Sequence, residues 1–190
     1  MGGANLRILV LFYLLVSAAG LGVVAYFDLW EGIAPPSLEP DSLYVLSVGL
    51  GLGLAMVVVC RLLSRWVPAV RKLEEGFRGL LGPMTSGEVL LAAVASGVAE
   101  ELFFRAALQP LLGLWVTSAI FALLHIGPTR DFRSWPVMAF VAGVLLGGLF
   151  EWSGSVWPSA LAHGTVNGLN LLYLLRREPL AEEPSSIDPE

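Results

Sequence analysis

Five ionisable side chains lie inside or at the ends of long apolar stretches of this sequence, where a charge costs at least about 2.5–3.5 kcal/mol on insertion scales. Glu100, Glu101 and Arg105 belong to the stretch 87–108, His125 to 111–126 and His163 to 156–175. Both histidines of the protein are in that set. Each such residue needs a partner or a function. Glu101 and Arg105 are four apart with the acid first, the favourable order for a pair on one helix face, and are expected to neutralise each other as structural support. Glu100 is rotated about 100° from Glu101 on an ideal helix, does not share Arg105 on equal terms, and is left as the unpaired acid. His163 and Asn167, also four apart, project from one face of one helix, while His125 comes from another.

An acid, two imidazoles and an amide drawn from three helices suit water-mediated hydrolysis in a dry site. The acid takes a proton from water, a histidine holds that water, and hydrogen-bond donors stabilise the oxyanion that forms on a carbonyl. Each residue also has a structural reading: Glu100 as a carboxyl hydrogen-bonded to another helix, and either histidine as an interhelical hydrogen-bonding group. Their co-occurrence favours the catalytic reading for the set. Two other classes stay open. A non-enzymatic scaffold or immunity protein would use the polar cluster for helix association, and a small transporter would relay protons through Glu100 and the histidines. A transporter should show internal symmetry or broken paired helices, and no repeat is visible in the sequence.

The elements that must position these residues are membrane helices. The 190 residues are 56% hydrophobic and only 14% charged, with a mean hydropathy of +0.74, where soluble domains carry roughly 25% charged residues. Apolar stretches at about 8–27, 43–63, 87–108, 111–126, 135–151 and 156–175 predict an all-α polytopic bundle of six helices, five of spanning length and one shorter. The first stretch, behind Arg7, is long enough for a retained span rather than a cleaved signal peptide. Trp66, Val70, Leu73, Phe77 and Leu80 recur at steps of four and three among charged residues, predicting an amphipathic helix in the membrane interface. Three regions follow: two N-terminal spans and the interfacial helix (1–86), a four-helix catalytic core (87–175), and a disordered, Pro-, Ser- and acid-rich tail (176–190).

Charge sets the orientation. Ten of the eleven basic residues fall on one side if the N-terminus is inside, the eleventh being Arg105 within a span. The expected topology is therefore N-in and C-in. The net charge of −5 comes largely from the loop 28–42 and the tail, and no basic run with interleaved aromatics suggests a nucleic acid partner. Cys60 is the only cysteine, which leaves no disulfide framework and no thiolate metal cluster. Gly49 and Gly53, and likewise Gly143 and Gly147, are four apart and predict close helix packing.

In the sequence order EExxxR (Glu100, Glu101, Arg105), FxxxH (Phe121, His125) and HxxxN (His163, Asn167), the chain resembles the CPBP family of intramembrane proteases, which includes the type II CAAX prenyl endopeptidases. The resemblance covers about residues 87–175. It implies that Glu100 is the general base activating water, assisted by His125, that His163 and Asn167 form the oxyanion site, and that Glu101 and Arg105 support the helix. Phe121 matches the motif's aromatic and would shape the pocket, as a core Phe also would. The family has been described both as metal-dependent and as glutamate-dependent. A metal-free glutamate mechanism with no cofactor is the expectation here, with Glu100, His125 and His163 as the ligands of zinc if they converge on one.

Counting at 1.5 Å per residue puts Glu100 and His163 in the outer half of the membrane, whereas His125, counted from Leu111, comes out about 21 Å from the outside. That helix must be tilted, displaced or differently bounded. An outward site in a bacterial inner-membrane protein suits a membrane-associated protein or peptide substrate within the lipid bilayer. It resembles bacterial members that process exported proteins, such as the myxosortases, which act on C-terminal sorting tails. Maturation of bacteriocins or pheromones is the other reading of the substrate.

Overall fold

The computed structural model describes residues 3–176 apart from 36, 38, 82 and 83, so the acidic tail beyond 176 lies outside the described residues. Every regular element among them is helical, and the protein is an all-α bundle. Helix α1 is Gly3–Phe27, α2 Pro40–Trp66 and α3 Pro68–Leu81. Pro68 has no N–H to continue α2 and instead starts α3. Helix α4, Ser86–Glu101, opens on a capping box in which Thr85 and Glu88 each satisfy the other's backbone N–H.

The next stretch departs from the single helix expected over 87–108. Helix α4 runs directly into a π-helical segment, Leu102–Leu108, and then into α5, Gln109–Leu112. A π turn takes in more residues than an α turn, a change of phase that hydrophobic periodicity does not report. The chain reverses at Gly113, whose φ of 79° lies where residues with a Cβ are strained. Helix α6 is therefore only Leu114–Leu124, shorter than the 111–126 expected, and His125 is its C-terminal cap rather than a residue inside it. A 3-10 turn, Arg130–Ser134, leads to α7, Trp135–Ser153, and Gly154 at φ 65° turns the chain into α8, Val156–Arg176.

Three helices are long and apolar enough to cross a membrane, Leu6–Phe27, Pro40–Trp66 and Arg130–Ser153, with Leu114–Leu124 a shorter apolar helix. The five spanning stretches counted in the sequence are thus not all reproduced. The difference lies in α4 and α8, the inner helices. They bury Ser96, Glu101, Ser159 and His163, whereas α1 and α2 expose Leu11, Leu15, Leu54 and Val58. Helices that face lipid must be apolar, and helices wrapped by others are free to carry polar groups.

Close packing through small residues holds the inner pair. A Cβ on Gly97 would come within 2.8 Å of the Gly164 backbone, and one on Gly53 within 2.8 Å of the Ala162 carbonyl. Gly49 sits against the Pro158 backbone and Gly143 against Ser118, so the paired glycines are contact seats, as their spacing predicts. Gly49→Ala is expected to push α2 off α8 and cost about 1–3 kcal/mol of stability. A detergent unfolding midpoint equal to wild type would refute that.

The amphipathic α3 turns its apolar face to the protein: Val70 and Leu73 are buried, and Phe77 meets Phe132 and Trp135 edge-on at 5.1 and 4.8 Å. Its Glu74 pairs with Arg61 of α2 at 3.0 Å, and the Arg61 guanidinium stacks 3.9 Å over Tyr173 of α8. This clamp ties α2, α3 and α8 together at one end of the bundle.

Candidate active site

Glu100, Glu101, His125 and His163 converge between α4, the end of α6 and α8. Glu101 and Arg105 are both fully buried, and Arg105 Nε donates to Glu101 Oε2 at 2.9 Å, the pair read from their spacing. The other Glu101 oxygen is not spare. His163 Nδ1 lies 2.8 Å from Glu101 Oε1, so this carboxylate orients a histidine as well as bracing its own helix. The spacing argument missed that contact because it crosses between helices 62 positions apart.

The remaining ring atoms share one target. Glu100 Oε2 is 3.6 Å from His125 Nε2 and 3.9 Å from His163 Nε2. Among the described residues it is buried without a hydrogen-bond partner. His125 Nδ1 lies 2.6 Å from the Phe121 carbonyl, which can only accept, so Nδ1 carries the proton. An ionised Glu101 likewise requires a proton on His163 Nδ1. Both rings are thereby fixed by their Nδ1 atoms and present Nε2 to the same carboxylate oxygen. The His125 ring is placed by the helix ending at Leu124, since a cap residue projects off the end of the turn rather than along a face.

Phe121 fills the space between these groups. Its ring centroid is 4.1 Å from that of His125 and 6.0 Å from that of His163, with the Arg105 guanidinium 5.2 Å away. The motif aromatic therefore lines the polar cluster directly. Asn167, paired in the sequence reading with His163, donates from Nδ2 to Ser96 Oγ at 2.9 Å. Three residues that the sequence did not single out also reach the site. They are Ser96, Trp135, whose ring meets His125 edge-on at 5.1 Å, and Tyr13, whose side chain meets those of Glu100 and Ser96. Inside apolar stretches a Ser, a Trp or a Tyr carries no sequence signal that separates it from packing.

The depth conflict at His125 also has a structural account. Glu100 lies thirteen residues before Gly113 and His125 twelve after it, so both sit roughly 18–20 Å from the same hairpin. The start of α8 is sunk, because Val156 packs with Val24, Ala106 and Ala107 rather than at the level of Gly113. Seven residues along α8, His163 then meets Glu100. Helix α6 itself begins at Leu114 instead of 111 and ends before His125.

Zinc ligands at about 2.0–2.1 Å in a tetrahedral array lie about 3.4 Å apart. The spacings from Glu100 to the two histidines are wider, and among the described residues no group of three His, Cys, Asp or Glu is placed to hold a metal ion.

Residues 82–169 match the model of the family described as Type II CAAX prenyl endopeptidase Rce1-like, a stretch that contains Glu100, Glu101, Arg105, Phe121, His125, His163 and Asn167. The chain is also similar to the uncharacterized protein YpbD of Bacillus subtilis, with 24% identity over 128 residues, or 66% of each chain. No solved structure matches the chain.

Proposed function

We propose, from the match of residues 82–169 to the Type II CAAX prenyl endopeptidase Rce1-like family, that this chain is an intramembrane endopeptidase working by glutamate-activated water. The observation that carries this reading is the convergence of His125 Nε2 and His163 Nε2 on Glu100 Oε2 at 3.6 and 3.9 Å, which puts an acid and two imidazoles around one point. Glu100 takes a proton from water as it attacks the scissile carbonyl, and His125 holds the water's second hydrogen. His163 as the imidazolium, its Nδ1–H held by Glu101, donates from Nε2 to the oxyanion, and Asn167, held by Ser96, donates its second amide hydrogen. Glu100 then returns its proton to the leaving amine as the tetrahedral intermediate collapses. Arg105 pairs with Glu101 at 2.9 Å behind the site, where both are fully buried, and Phe121 lines the reacting groups.

The substrate is a membrane-associated protein or peptide in the lipid bilayer, with C-terminal tails of exported proteins as the favoured class. The test is co-expression with proteins encoded nearby that carry a C-terminal membrane segment. Wild type is expected to shorten one of them and His163→Ala to leave it intact. No processing of any candidate, with the variant behaving as wild type in the host, would favour the scaffold reading. The positive charge of the loops supports an N-in topology with the site opening outward. A Ser42→Cys, Cys60→Ser protein is then expected to react with an impermeant maleimide in intact cells. Labelling only after permeabilisation would overturn that orientation.

A further inference from the structure

The first helix belongs to no motif and lies outside the residues matched by the family, yet its register against α4 is set at three points. Gly20 lies so close to the π segment that a Cβ there would be 3.0 Å from the Phe103 backbone. Val24 packs with Ala107, and the Tyr13 side chain meets Ser96 and Glu100. In each of the pairs 13 and 96, 20 and 103, and 24 and 107, the numbers differ by 83. The two helices therefore run side by side without slippage, and Tyr13, seven residues before Gly20 on the same face, is carried to the level of the site.

The register brings the Tyr13 hydroxyl to the level of Ser96 and Glu100, and a hydroxyl beside a carboxylate oxygen is the donor of the two. Ser96 Oγ, which donates to the Ala93 carbonyl at 3.2 Å and accepts from Asn167 Nδ2 at 2.9 Å, lies beside the same hydroxyl. We propose that Tyr13 is a positioning residue: its hydroxyl holds the Glu100 carboxylate with Oε2 turned to the two histidines, beside the Ser96 that accepts from Asn167. Helix α1 then completes the site instead of only anchoring the chain. Without the hydroxyl, Glu100 is free to rotate about its side chain, and its base oxygen leaves the point where both Nε2 atoms meet.

The effect on turnover rests on the protease reading; the contact itself does not. Tyr13→Phe keeps the ring and removes one hydrogen bond to a charged group. It is expected to lower kcat about 10- to 100-fold with KM unchanged and to lower the detergent unfolding midpoint modestly while the protein stays folded. Leu15→Ala, on the exposed side of the same helix, is expected to leave kcat unchanged. Adding Ser96→Ala to Tyr13→Phe is expected to cost less than the product of the two single effects, because both act on one network. A wild-type kcat for Tyr13→Phe, or an equal loss in Leu15→Ala, would overturn the assignment while Glu100→Gln still reported on the protease. Independently of turnover, Tyr13→Phe and Glu100→Gln should shift the unfolding midpoint non-additively. Additive shifts would show that the two side chains are not coupled, whatever the substrate proves to be.

Discussion

Glu100→Gln is expected to lower turnover by about 10²- to 10⁴-fold, the range for removing a general acid or base, while the protein remains folded and abundant. The substitution keeps the shape of the side chain and deletes only its capacity to accept a proton. It is also benign for folding. Glu100 Oε2 has no hydrogen-bond partner among the described residues and faces two ring nitrogens. A Gln amide N–H turned toward His125 Nε2 gains a partner that the carboxylate lacks. Cleavage of a co-expressed substrate, normalised to folded enzyme, is the measurement. Retained turnover would refute the general-base role, and a large fall in abundance would show instead that Glu100 is chiefly structural.

Glu101→Ala has the opposite signature, a loss of stability that carries activity down with it. Arg105 is fully buried, and its Nη1 and Nη2 have no hydrogen-bond partners among the described residues, so the bond from Nε to Glu101 is what compensates its charge. Removing one partner of a buried pair costs about 3–5 kcal/mol. The cost here reaches a second group, because His163 Nδ1 loses its acceptor at the same time. Sharply reduced abundance and a lower unfolding midpoint are expected, with Glu101→Gln intermediate because it keeps one carbonyl oxygen. A Glu101→Ala protein as stable as wild type but inactive would place Glu101 in the chemistry itself rather than behind His163.

The two predictions differ because adjacent acids of one dipeptide occupy different environments, and that much is visible in the sequence. The i, i+4 rule assigns Arg105 to Glu101 and leaves Glu100 over, and the structure has that pair. The same rule fails for His163 and Glu101, whose contact joins α8 to α4. It fails again for Asn167, which turns to Ser96 on α4. At Phe121 the spacing to His125 on one helix implies a neighbour, and the two rings are 4.1 Å apart. Neighbours along a helix are legible, while neighbours across helices are not.

By itself, the sequence determined the all-α membrane bundle, the identity of the polar residues inside it and their partners within a helix. Those follow from composition, hydrophobic length and a helical period that is local to each segment. Only the tertiary structure decided which residues share a level. That depends on the break at Gly113, the π segment at Leu102–Leu108 and the sinking of Val156 beside Ala106. Each of these sets the phase or depth of a helix without changing its hydrophobic pattern. The contacts of His163 with Glu101, of His125 with Glu100 and of Tyr13 with both Glu100 and Ser96 are set by those features, since hydrophobic burial has no preferred register and small-residue packing does.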